Sequence, residues 1–250
     1  MKEKEPQDPG AGERQTPPAD WRTPSGEGSS AGKKAPSGVE KLPPEEIMKR
    51  SRKALTSVTT VRISTPDGGL DVTTDRSGNC AGKVTVEEYT THLIKKGDEA
   101  WLKPEDAYWN DAAAKPILAK MPEVRGKYLH GTTKASFTLG VTTMFCQVGQ
   151  MQLAGDFGAL DNSSASSKGA VTTVNGQKAV PLHFDSPKEG RSTVYIATEG
   201  RPYPVRMESD AQKAQMGLSD LGRPFTPPAS PPARDTVDAA EVEELSLAAD

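Results

Sequence analysis

The feature that most constrains this chain lies between Thr172 and Ser209, where apolar residues recur at every second position in successive short runs. It opens with Asn175-Gly176, the pair that a two-residue type I′ hairpin prefers because both central residues take φ > 0. After that turn Val180, Leu182 and Phe184 fall on one face, and Ala179, Pro181 and His183 on the other. The alternation returns at Val194 and Ile196, and again at Tyr203, Val205 and Met207, across breaks at Ser-Pro-Lys-Glu-Gly and Thr-Glu-Gly. Period two in consecutive runs predicts an antiparallel meander with one buried face. Pro204 shares the outward side with Arg206, a position strands tolerate at an edge or near their start.

The rest of the chain must cover that face, and composition says which parts can. Hydrophobic residues make up 34% of the chain, and the shortfall sits at its two ends. Residues 1–44 hold eight prolines, six glycines and Trp21 as their one aromatic, with seven basic charges against seven acidic. Such a segment buries too little apolar surface to offset its ordering entropy, so it reads as a disordered Pro/Gly/Ser-rich tether. Residues 224–250 begin with Pro-Phe-Thr-Pro-Pro-Ala-Ser-Pro-Pro, a stiff linker, and end in six acidic residues beyond Arg234 that read as a solvated tail. That leaves 45–223 as one domain with a sizeable core.

A net charge of −3, with no basic residues interleaved among stacking aromatics, argues against nucleic-acid binding. No run approaches the roughly 18–20 apolar residues of a membrane-spanning helix. Met1-Lys-Glu-Lys-Glu leads into Pro and Gly without the apolar stretch of a signal peptide.

The domain is expected to begin with a helix. Pro43-Pro44-Glu45-Glu46 is a favourable helix entry, and Ile47, Ser51, Ala54, Leu55 and Val58 form a stripe suited to a sheet. Lys49, Arg50, Arg52 and Lys53 make up a basic outer face that suits solvent or anionic lipid. Short strands follow: Val61/Ile63 and Leu70/Val72 about Pro66-Asp67-Gly68-Gly69, then Val84/Val86 after Asp75-Arg-Ser-Gly-Asn79. Tyr89, Thr91 and Leu93 continue to Lys96-Gly97-Asp98, and Ala100 and Leu102 place Trp101 on the opposite face. Bulk on both faces there predicts cover on two sides. Residues 105–154 supply helical cover: a piece broken at Pro116, then Phe137, Val141, Met144, Phe145, Val148 and Met151 at helical spacing. Strands on either side of a helical insertion predict an α+β fold, one curved sheet with helices across its concave apolar side.

Catalytic patterns are lacking. Gly78-Asn-Cys-Ala-Gly82-Lys83 is one residue short of a phosphate loop, with Val84 where the magnesium-ligating hydroxyl belongs. His92, His130 and His183 are scattered, without zinc-ligand spacing or a CxxC pair, and there is no GxSxG elbow. No enzyme, cofactor or metal is expected. Cys80 and Cys146 are two buried thiols or one bridge; paired, they would close a loop of about 67 residues and stabilise by up to roughly 4 kcal/mol.

Four stretches carry a family resemblance: Gly69-Leu-Asp-Val-Thr-Thr-Asp-Arg-Ser-Gly-Asn-Cys80, Lys96-Gly-Asp-Glu-Ala-Trp-Leu-Lys-Pro104, Thr172-Thr-Val-Asn-Gly-Gln-Lys-Ala179 and Thr193-Val-Tyr-Ile-Ala-Thr-Glu-Gly-Arg-Pro-Tyr-Pro-Val205. Their order and strand pattern resemble actinobacterial cell-envelope lipoproteins of the LolA-like superfamily, which includes the LprG and LppX lipid carriers. The resemblance spans 45–223. It implies a half-barrel (LolA-like) whose helices pack on the concave face around an apolar cavity for acyl chains. It further implies a Cys80–Cys146 disulfide and an extracytoplasmic place on the outer surface of the cell membrane. The lipid anchor it implies is absent from this sequence. A lipid or acylated molecule is then the expected partner, and a monomer the expected state. The cavity lining would be Leu93, Trp101, Trp109, Leu118, Met121, Phe137, Val141, Met144, Phe145, Val194, Ile196, Tyr203 and Val205.

Two further readings use the same sheet. An envelope interaction or sensing module would fill its core with its own helices and carry no lipid. Glycan binding would use exposed Trp101 and Trp109. Cavity volume separates carrier from module, since a carrier keeps several hundred Å³ of apolar space.

Overall fold

The Asn175-Gly176 turn adopts the backbone its sequence demands: both residues have positive φ, 50° and 76°. In this computed structural model, which describes residues 35–157, 160, 165–186 and 190–247, the turn joins β8 (Thr172–Val174) to β9 (Gln177–Ser186). The meander continues through β10 (Gly190–Ala197), β11 (Pro204–Ser209) and β12 (Ala214–Ser219). The first half supplies β1 (Thr60–Ser64), β2 (Leu70–Asp75), β3 (Cys80–Val86), β4 (Tyr89–Lys96) and β5 (Glu99–Pro104), each antiparallel to the next. β1 pairs with β12, so the two meanders fuse. With β6 (Tyr128–Thr132) on β5, β13 (Thr236–Asp238) parallel to β6, and β7 (Ser167–Lys168) on β9, the described strands form one curved, unclosed sheet. The fold is α+β, as expected.

Cross-strand partners share a face, and the register draws one apolar row across the whole concave side. It runs Leu182–Val194–Met207–Met216 over β9 to β12. From Leu218 it continues Ile63–Val72–Gly82–Leu93–Leu102–Leu129–Val237 over β1 to β6 and β13. Gly82 is the one residue in the row without a side chain. Its φ is +153°, and an added Cβ would lie 2.0 Å from the Asp71 carbonyl oxygen. The backbones of β2 and β3 approach too closely there for any other residue.

Helices cover this row in two parts. α1 (Pro44–Leu55) lays Ile47, Met48 and Leu55 into a cluster with Val180, Leu182, Phe184, Val194 and Ile196. α2 (Asp106–Asn110), α3 (Lys115–Lys120) and α4 (Phe137–Ala154) cover the other half. Trp109, Ile117, Leu139 and Leu153 there meet Ile63, Val72, Leu93 and Leu102. Cys80 and Cys146 are bonded, with Cα atoms 5.9 Å apart, and fix the middle of α4 to β3.

Three parts of the chain differ from their sequence reading. The acidic end folds: β13 leads into α5 (Ala239–Leu247), which buries Ala239 and Val242 in the larger cluster, with Leu245 packed beside them. Glu241 and Glu244 face water while every third residue, Ala239, Val242 and Leu245, is apolar, and that spacing outweighs the acidic composition. In the Pro-rich segment before it, Ser230 Oγ accepts from Lys96 Nζ at the end of β4. At the other end, residues 35–43 belong to the domain. Pro36 bridges to Glu199, the Ser37 amide donates to the Thr198 carbonyl, and Val39 is buried. Residues 1–34 of the expected tether lie outside the described residues. Finally, β6 lies inside the segment read as all helical, and β12 has only Met216 and Leu218 to mark its alternation.

If α5 is part of the core, Val242→Asp should lower the unfolding free energy by about 3 kcal/mol or more, the cost of burying an unpaired carboxylate. Leu247→Asp, at a residue 75% exposed, should change it by less than about 0.5 kcal/mol. Urea denaturation of both variants checks this; a solvated tail would leave both silent.

Candidate functional site

α4 is 18 residues long and contains no charged side chain. A helix of that composition belongs in a core or against lipid rather than on an open surface. Its N-terminus is supplied with acceptors from two directions. Ser136 Oγ accepts from the Leu139 amide at 3.2 Å. The Glu243 carboxylate of α5 accepts from the amides of Phe137 (3.2 Å) and Thr138 (2.5 Å) and from Thr138 Oγ1 (2.8 Å). Partial burial pushes the Glu243 carboxyl up, but the bonds from Thr138, Ser136 and Phe137 outweigh it and hold it below the usual glutamate range. The charge that favours a helix N-terminus is thus borrowed from α5.

The inner face of α4 is sealed. Leu139, Thr143 and Cys146 have no accessible surface, and neither do Ile63, Val72, Leu93 and Cys80 across from them. Side chains so enclosed leave no room for even a water molecule beside them. Gly149 permits the closest approach: an added Cβ would lie 2.3 Å from Thr74 Cγ2. At the C-terminal end Arg76 of the β2–β3 turn donates to the carbonyls of Leu153, Thr56 and Val58, joining α4 to the connection between α1 and β1. Gly155, at φ +76°, ends the helix there.

Between the two sealed halves lies a seam over β11 and β12. Met207 and Met216 stand side by side in the concave row and are half-buried, as are Tyr203 and Leu221. Met207, Tyr203 and Leu221 pack against both clusters, and Met216 against the larger one. Flexible thioethers on a partly covered apolar face can repack around an added chain. A separate depression of about 450 Å³ at the β11–β12 hairpin is open and lined by Glu208, Asp210, Lys213 and Gln215, which suits no acyl chain.

The residues expected to line one cavity divide among five places. Leu93 and Trp109 are enclosed in the larger cluster, with Met121 8% exposed and Leu118 and Phe145 partly buried against it. Val194 and Ile196 lie in the smaller cluster under α1. Tyr203 is at the seam. Phe137, Val141 and Met144 point away from the sheet, 81%, 43% and 51% exposed. Trp101 and Val205 lie on the outer face. Trp101 stacks on His130, ring centroids 4.7 Å apart, and is 4% exposed rather than available to a glycan. A register shift at Tyr195/Ile196 moves Val205 into a small cluster with Val174, Ala179 and Ala197. A bulge has this effect because one extra residue reverses the faces of those beyond it. The spacing of α4 located the helix but gave no sign of which apolar stripe would face inward. Met207 and Met216 are absent from the expected set; the alternation of its strand marked Met207 as apolar, and the pairing of β11 with β12 sets Met216 beside it.

The histidines have structural partners: His92 with Glu105 at 3.2 Å, His130 with Trp101, and His183 with Thr193 Oγ1 at 3.1 Å.

No protein-family model matches the chain, and no curated protein does. Among solved structures it is similar to LprF from Mycobacterium bovis, at 15% identity over 78% of this chain and 98% of that one, with a TM-score of 0.48. It is similar to the Mycobacterium tuberculosis lipoprotein LppX at 15% identity over 72% and 96%, with a TM-score of 0.45. A LolA superfamily protein from Nitrosomonas europaea aligns at 10% identity over 74% and 96%, with a TM-score of 0.25.

The Glu243 cap carries a pH signature. Its carboxyl is held below the ordinary value of 4.5, so the stability it contributes is present above pH 4.5 and lost as the pH falls through its lower folded value. Glu243→Gln should cost about 1 kcal/mol at pH 7, the usual worth of a cap. It should also flatten the fall in stability below pH 4.5. Urea midpoints for both proteins at pH 7 and 3.5 check this.

Proposed function

We propose that this protein, LolA-like in its open curved sheet with helices on the concave side, is a non-catalytic lipid-binding protein of the cell envelope. It takes acyl chains into the seam between its two core halves. The observation that carries the reading is the seam itself, an apolar strip at Met207, Met216, Tyr203 and Leu221 that neither α1 nor the α4 half fully covers. Each methylene moved there from water gains about 0.8 kcal/mol. A carrier must also release its cargo, and a strip bounded by two separately packed halves opens without unfolding either. The Cys80–Cys146 bond fits an oxidising, extracytoplasmic compartment.

A second reading, an interaction module with a filled core, is favoured by the complete enclosure of Leu93, Leu139 and Cys146 beneath α4. Under that reading the half-covered methionines are ordinary core edge and no cargo enters.

Titration with a fluorescent fatty acid separates the two. The carrier reading expects saturable binding, lowered at least tenfold by Met207→Trp/Met216→Trp, which fills the seam. It also expects lipid to co-purify under native mass spectrometry. No saturable binding leaves the interaction module standing, and saturable binding unchanged in a double variant that keeps its unfolding midpoint overturns the seam as the acyl-chain site.

A further inference from the structure

We propose that the outward face of α4, with the basic outer face of α1 beside it, is a docking surface for an anionic lipid bilayer. Phe137, Val141, Met144, Val148 and Met151 are spaced i, i+4, i+7, i+11 and i+14, one stripe along the helix, opposite the buried line of Leu139, Cys146 and Leu153. At 1.5 Å per residue the stripe is about 21 Å long. Phe137 is 81% exposed, Met144 51%, Val141 43% and Met151 41%. Together they expose on the order of 400 Å², a patch size that marks an interaction surface.

The charge next to the stripe selects the occupant. α1 packs on the same concave side and meets α4 near its C-terminal end, where Arg76 reaches Leu55, Thr56 and Leu153 together. α1 turns Ile47, Ser51 and Leu55 to the sheet, so Lys49 and Lys53 face the side that the stripe faces. Both lysines are exposed, and neither forms an ion pair among the described residues, whereas Arg50 is paired with Glu46. An apolar stripe for the acyl boundary flanked by free ammonium groups for phosphate headgroups is the arrangement of an interfacial helix. A hydrophobic protein partner would satisfy the stripe but would leave the lysines unused. The acidic residues of α5 stand at the Phe137 end, with Glu243 engaged in the cap, so contact is weighted toward Met144 and Met151. The surface is separate from the seam and does not require that cargo binds there.

Co-sedimentation of the full chain with vesicles tests this, using phosphatidylcholine containing about a third phosphatidylglycerol against phosphatidylcholine alone. The expected result is binding to the anionic vesicles that weakens with salt and falls at least tenfold in Met144→Glu/Met151→Glu. Lys49→Glu/Lys53→Glu should lose only the anionic preference. All four positions are exposed, so unfolding midpoints should hold, and fatty-acid titration at the seam should be unchanged in both variants. The proposal is overturned if the wild-type chain stays in the supernatant, or if the methionine variant sediments as before. It is overturned equally if the stripe supports self-association by analytical ultracentrifugation, abolished by Met144→Glu/Met151→Glu, in place of vesicle binding.

Discussion

The structure depends on one burial event: an open sheet has an apolar concave row, and α4 must lie on it. Without the helix, Ile63, Val72, Leu93 and Leu102 would face water, each at a cost of about 1.5–3 kcal/mol. Two devices hold the helix in place. The disulfide at Cys146 fixes its middle to β3, and Glu243 fixes its first turn from α5. The bond joins residues 66 apart in sequence, which on chain-entropy grounds stabilises by about 4 kcal/mol. Gly149 and Gly82 are the matching concessions in the backbone, one letting the helix approach Thr74 and the other letting β2 approach β3.

Because α4 lacks charge, its placement has a consequence on the other side. A helix with polar outer residues would end the structure at its surface. This one carries apolar side chains outward as well, and α1 next to it carries lysines. The concave side therefore offers two apolar features of different kinds, a seam between packed halves and an outer stripe. The first suits a chain taken into the protein. The second suits a layer against which the protein rests. Keeping them apart lets the core stay closed under α4.

Much of the sheet was legible in the sequence, because period-two alternation and Gly-containing turns are local signals. Asn175-Gly176, Gly68 and Gly97 each take the positive φ that their turns require. The resemblance carried the disulfide, which cysteine count alone left undecided. What the sequence concealed was set by distant partners. Val205 follows the period of its strand, yet a register shift against β10 sends it to the outer face. Phe137 and Leu139 are equally apolar, and only the position of the sheet decides which is buried. The acidic tail misled through composition: Val237, Ala239, Val242 and Leu245 are few, but their spacing gives α5 an apolar side.

Six of the seven methionines distribute over these features, with Met48 and Met121 in the packed halves, Met207 and Met216 at the seam and Met144 and Met151 on the outer stripe. Methyl-labelled methionine NMR with a soluble fatty acid therefore reads the central claim residue by residue. The account predicts shifts at Met207 and Met216, with Met121, Met144 and Met151 unchanged. Shifts at Met121 with Met207 and Met216 silent would place the chain beneath the helices and contradict it.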